Sequence, residues 1–169
     1  MFSVSHYILL TEAGAQFTTL PVNLSRKNFT PEFRRLNPKG KVPTLLIDGA
    51  PLTENVAIQL WITHQFPQAK LLPDDPLDYF RAISVMAWCA GGIHPKLTQQ
   101  ARPERYCDLP GSADNVCAHG SHSLFELYGI AENMLAGREW FFETFSCADA
   151  YFYWCFRRGS QFEPDVSHF

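Results

Sequence analysis

The chain has 169 residues, 46% of them hydrophobic and 14% aromatic, and a formal net charge of −3. That is enough apolar material for one large domain or two small ones, and it excludes an intrinsically disordered chain. The 14 Lys and Arg are scattered rather than run together, so no nucleic-acid or anionic-membrane partner is expected.

Residues 5–13 (SHYILLTEA) read as a short helix that Gly14 stops. Residues 17–24 (FTTLPVNL) are rich in β-branched and aromatic side chains and predict a strand, placed at a sheet edge by Pro21. Thr30-Pro31-Glu32 predicts a helix entry, with Thr as N-cap and Pro in the first turn. That helix ends in the turn cluster Asn37-Pro38-Lys39-Gly40. Residues 43–47 (PTLLI) form a second strand candidate, Asp48-Gly49 is a hairpin signal, and Leu52 starts the return strand. Residues 54–64 read as a helix, and 71–76 (LLPDDP) as the linker between domains 1–70 and 77–169.

Beyond the linker the pattern is helical throughout. Tyr79, Ile83, Met86, Ala90 and Ile93 fall on one stripe, and Leu124, Leu127, Tyr128, Ala131, Met134 and Leu135 on another. Ser146 and Asp149 have capping-box spacing ahead of the aromatic segment AYFYWCF. The five cysteines, at 89, 107, 117, 147 and 155, contain no C-x-x-C pair. That argues against a disulfide scaffold, a zinc ribbon and a dithiol redox motif, and most are expected to be small buried hydrophobes. No metal is expected. No stretch approaches the ~20 apolar residues of a membrane span, and the start lacks a signal-peptide pattern. The expected setting is the reducing cytoplasm.

Four stretches carry a resemblance. They are Asn37-Pro38-Lys39-Gly40-Lys41-Val42-Pro43 with TLLIDG, Leu52-Thr53-Glu54-Asn55-Val56-Ala57-Ile58, Leu71-Leu72-Pro73, and Phe145-Ser146-Cys147-Ala148-Asp149-Ala150-Tyr151. In this order, over nearly the whole chain, they resemble the cytosolic glutathione transferase superfamily, and its bacterial beta-like branch in particular. The resemblance implies an α/β thioredoxin-like N-terminal domain followed by an all-α helical-bundle C-terminal domain. Glutathione would be a substrate, joined to a small electrophile, and the protein a homodimer.

The same resemblance assigns residues. The backbone of Val42, before a cis Pro43, would pair with the cysteinyl backbone of glutathione as an added strand. Glu54 and Asn55, at a helix N-terminus suited to a carboxylate, would hold the γ-glutamyl end. Asn55 stands where serine is more usual. Lys41 and Lys27 match positions where a base meets the glycyl carboxylate. His94 stands where the beta-like branch turns a histidine toward the thiol. Read without the resemblance, these are an ordinary strand-opening proline, a helix N-cap formed by Thr53 or Asn55, two surface lysines and a structural histidine. His119 and His122 read as surface residues.

Two family features are missing from the sequence. Counting back without gaps from Glu12-Ala13-Gly14, the thiol-activating Tyr, Ser or Cys falls on Phe2, which has neither hydroxyl nor thiol. Ser3 beside it is the best available donor. The first central strand has no residues, and the C-terminus stops at Phe169 where the family continues, so the expectation is a sequence shorter than the functional protein. Three functions follow: a glutathione-conjugating enzyme or a related glutathione-dependent thiol reaction, a catalytically inactive glutathione-binding or scaffolding module, and a helical protein unrelated to glutathione. The third leaves the ordered Val42-Pro43 and Glu54-Asn55 motifs unexplained.

Overall fold

The computed structural model describes residues 4–22, 30–162 and 169. Contacts divide the chain into two units, Met1–Leu71 and Leu72–Phe169.

The first unit runs α1 (Val4–Glu12), α2 (Pro31–Leu36), β1 (Thr44–Ile47), β2 (Ala50–Thr53) and α3 (Asn55–Gln65). Helix α1 stops where expected, at Gly14 with φ +65°. Thr30 caps α2, its side chain accepting from the Phe33 N–H with proline in the first turn. Strands β1 and β2 pair antiparallel, from Thr44 opposite Thr53 to Ile47 opposite Ala50. Asp48 and Gly49 both take positive φ (49° and 85°), the backbone a two-residue hairpin of this twist requires. The return strand begins at Ala50, two residues before the position read from the sequence.

Residues 17–22 are not a strand, against expectation, and 23–24 lie outside the described residues. Among the described residues the sheet has two strands, and neither pairs with this segment. Composition favours extended backbone, but a strand exists only as a member of a ladder, and Pro21 offers no N–H to start one. Helix α1 packs on α3, burying Leu9 and Leu10 with Ile58 and Ile62. Three polar side chains of these two helices, Ser5, His6 and Gln59, are buried as well.

The second unit is helical: α4 (Pro76–Trp88), a π-helical turn (Cys89–Ile93), α5 (His94–Ala101), α6 (Ala113–Leu135) and α7 (Cys147–Gly159). Asp75 caps α4 through the N–H groups of Leu77 and Asp78. The buried face of α4 and its continuation is Ala82, Val85, Met86, Cys89 and Ile93, not the Tyr79–Ile83–Ala90 line expected. Met86 and Ile93 belong to both sets. Tyr79 and Ile83 lie ahead of the π turn, so the buried face of α4 is already shifted by one position before that turn begins. Along α6, Leu124, Tyr128 and Ala131 are buried as expected, whereas Met134 is exposed.

The Ser146–Asp149 capping box is formed. Asp149 accepts from Ser146 N–H (2.8 Å) and Ser146 Oγ (2.7 Å), and its other oxygen takes the Phe141 N–H (2.9 Å). Gly159 sits against Tyr128, whose Cζ would lie 2.9 Å from a Cβ there. Tyr128 donates to the Cys155 carbonyl at 3.1 Å. Cys89, Cys147 and Cys155 are buried, as small hydrophobes should be. No described helix is long and apolar enough to cross a membrane.

Candidate functional site

The loop between α2 and β1 is organised by one buried side chain. Asn37 donates from Nδ2 to the Lys41 carbonyl (2.6 Å) and to Thr44 Oγ1 (3.2 Å), while its Oδ1 accepts the Lys39 N–H (3.1 Å). The loop passes through Gly40 at φ +60° and enters β1 through a cis Val42–Pro43 peptide. Both residues are half-buried, and the hairpin register places them at the same end of the ladder as Thr53 and Glu54.

Glu54 turns the chain from β2 into α3 at φ 74°, ψ 130°. A non-glycine residue there carries a cost on the order of 1–3 kcal/mol, sustained only when its surroundings over-determine it. Lys39 supplies part of that: its Nζ meets Glu54 Oε1 at 2.6 Å and Thr53 Oγ1 at 3.1 Å. Neither Thr53 nor Asn55 is the N-cap expected from the sequence. The N-cap is Glu54, and no side chain caps the helix. The first N–H groups of α3 thus stay open at the positive end of its dipole, an arrangement that favours an anion.

Asn55, the first residue of α3, is held from behind. Gln59 Nε2 donates to Asn55 Oδ1 in a short hydrogen bond and to Ser5 Oγ at 3.4 Å. His6 Nε2 lies 3.3 Å from the Asn55 carbonyl and, facing an acceptor, must carry the proton. Burial lowers the His6 pKa to about 4, the carbonyl contact opposing only in part, so the ring is neutral at pH 7. Its Nδ1 and Gln59 Oε1 are buried without hydrogen-bond partners.

The structure brings Val42, Pro43, Glu54 and Asn55 to one end of the hairpin. Lys41 is exposed and gives its main-chain carbonyl to Asn37, while Lys39 is the cation that reaches Glu54. Ser3 and Lys27, with Phe2, lie outside the described residues. His94 opens α5 in the second unit, directly after the π turn, with Nδ1 3.4 Å from the Tyr151 hydroxyl and its ring 4.8 Å from that of Trp154. Burial lifts the Cys147 thiol to about 12 and Cys155 well above its usual value, so neither is a thiolate at neutral pH. His122 sits on the surface beside Glu126, and His119 is exposed. Among the described residues no cluster of three or more His, Cys, Asp or Glu could hold a metal.

Asn37, Lys39, Gln59 and His6 were not among the site residues read from the sequence. One signal was available: Gln59 follows Asn55 by four residues, one helical turn on the same face.

The model of the glutathione S-transferase N-terminal domain matches residues 1–64. A solved beta-class glutathione S-transferase from Sphingomonas chungbukensis is 31% identical, covers 98% of this chain and 82% of its own, and superposes with a TM-score of 0.85. The chain belongs to the cytosolic glutathione S-transferase superfamily. A sphingomonad glutathione S-transferase solved in complex with glutathione is likewise 31% identical over 93% of this chain and 77% of its own, with a TM-score of 0.79. Among curated superfamily members, glutathione S-transferase GstA of Escherichia coli O157:H7 is 34% identical over 106 residues, 60% of this chain and 53% of that protein. Maleylacetoacetate isomerase of Pseudomonas aeruginosa is 38% identical over 92 residues, 52% of this chain and 43% of that protein. The chain thus spans about half the length of the curated relatives it matches, or less.

Proposed function

We propose that the protein binds glutathione at the α3 end of its first unit and catalyses a glutathione-dependent reaction, conjugation to a small electrophile being the leading form. The observation that carries this is the uncapped N-terminus of α3, with the Glu54 carboxylate and the Asn55 amide beside the cis Val42–Pro43 peptide. The γ-glutamyl end of glutathione is an α-amino acid, with an ammonium and a carboxylate on one carbon. Glu54 suits the ammonium, while Asn55 and the open N–H groups of α3 suit the carboxylate. The Val42 main chain offers an edge for the cysteinyl backbone. Lys41 and Lys27 are assigned to the glycyl carboxylate.

The chemistry asks for a thiolate, because the deprotonated sulfur is the nucleophile. The thiol gives up its proton, the sulfur forms a bond to the electrophilic carbon, and that carbon's leaving group departs or its π electrons take the proton. Ser3 would donate to the thiolate and His94 would assist. A cytoplasmic homodimer is the state this reading implies.

A glutathione-binding module without catalysis is the second reading, favoured by Phe2 at the thiol-activating position. Turnover on a panel of small electrophiles and disulfides separates the two. The enzyme reading expects turnover that falls at least about tenfold in Ser3→Ala or His94→Ala. Glutathione binding without any turnover on the panel would leave only the second reading.

A further inference from the structure

Asn55 has two acceptors, its main-chain carbonyl and its side-chain oxygen, and the interior of the first unit engages both. His6 takes the carbonyl and Gln59 takes the side-chain oxygen, with Ser5 behind Gln59. The backing is buried: Ser5 and Gln59 are fully inaccessible and His6 is 5% exposed. What Asn55 leaves unengaged among the described residues is its main-chain N–H and its side-chain NH2, all donors. An isolated asparagine presents oxygen or nitrogen equally well by rotating its amide, and in this structure its oxygen faces the Gln59 amide.

Resting on the proposed glutathione site, we propose that Gln59 and His6 are positioning residues that make Asn55 a donor-only contact. The site then selects a carboxylate over a neutral amide at the γ-glutamyl end. A carboxylate accepts from the Asn55 NH2 and the α3 N–H groups together. A primary amide must turn one NH2 toward those donors or use its single oxygen. Losing a charge-assisted hydrogen bond of this kind is worth about 10- to 100-fold in affinity.

The test compares binding of glutathione with that of an analogue whose γ-glutamyl α-carboxylate is a primary amide, by titration calorimetry on the full chain. The native protein is expected to prefer glutathione by about tenfold or more. In Gln59→Glu, titrated at a pH where the introduced carboxyl is ionised, the side chain can only accept, so Asn55 turns its NH2 inward and its oxygen outward, and the preference shrinks to about threefold or less. Adding Asn55→Ser to that variant restores the preference, because a hydroxyl rotates to donate whatever stands behind it. Purely structural damage would not be repaired this way. If Gln59→Glu does not fold, Gln59→Met removes the restraint without adding charge and is expected to weaken the preference about threefold. An unchanged preference in every folded Gln59 variant overturns the positioning role while leaving glutathione binding intact. No binding of glutathione by the native protein overturns the proposed function, and this inference with it.

Discussion

The two units solve the burial problem differently. The second unit seals its interior with large side chains, Tyr128, Tyr151 and Trp154 among them, and closes the start of α7 with Asp149, whose other oxygen takes the Phe141 N–H. The first unit buries a small apolar set on α1 and α3 and threads Ser5, His6 and Gln59 through it, leaving two of their atoms without partners. Its α3 is uncapped, whereas α7 has a complete capping box. A helix start built for stability closes its N–H groups on its own side chains, and one built for a ligand leaves them open. The proposed recognition site uses the open helix start, not the closed one.

The largest expected break of this contrast is Asp149→Ala. It orphans the buried N–H groups of Phe141 and Ser146 together with the helix cap, and should cost about 3–4 kcal/mol in urea unfolding. Glutathione affinity of the folded fraction is expected to be unchanged, so a parallel loss of affinity would undo the separation of roles.

Next in size is the acid response of the first unit. The His6 pKa in the folded protein is about 4 against an ordinary 6.5, so folding favours the neutral ring. That contribution is fully present above pH 6.5 and is lost as pH falls toward 4, because the unfolded chain takes up the proton first. The loss is on the order of 3 kcal/mol. Denaturant melts from pH 7 to 4 should show it, and His6→Leu should flatten that part of the profile; the same slope in His6→Leu would assign it elsewhere.

Asn37→Ala removes three hydrogen bonds that shape the loop before β1, and is expected to cost about 2 kcal/mol with a several-fold weaker grip on glutathione. The smallest effect belongs to Lys39→Ala. Its ion pair with Glu54 is exposed, with side chains 53% and 65% accessible, so melting should change by less than about 1 kcal/mol and less again in high salt.

The sequence made much of this legible where the cause is local. Gly14, Thr30-Pro31, Asp48-Gly49 and Ser146–Asp149 each act within a few residues, and each forms the stop, cap, turn or box read from it. The features that depended on distant partners were not legible. Residues 17–22 have strand composition but no ladder to join among the described residues. The buried face of α4 depended on the helices it packs against, α7 among them, which a stripe drawn along one helix does not reveal. Thr53 and Asn55 are better N-caps by type than Glu54, and the choice was made by where the hairpin ends and Lys39 reaches. His6 was not singled out in the sequence, and its meaning came from a carbonyl 49 residues away.

The central claim is that the open start of α3 is a glutathione site. Titration calorimetry of glutathione into the native protein and into Glu54→Gln tests it most directly. The account predicts saturable binding with one site per chain, weakened at least about tenfold by Glu54→Gln with little change in melting temperature. Absence of binding to the native protein, or equal affinity in the two proteins, would contradict it.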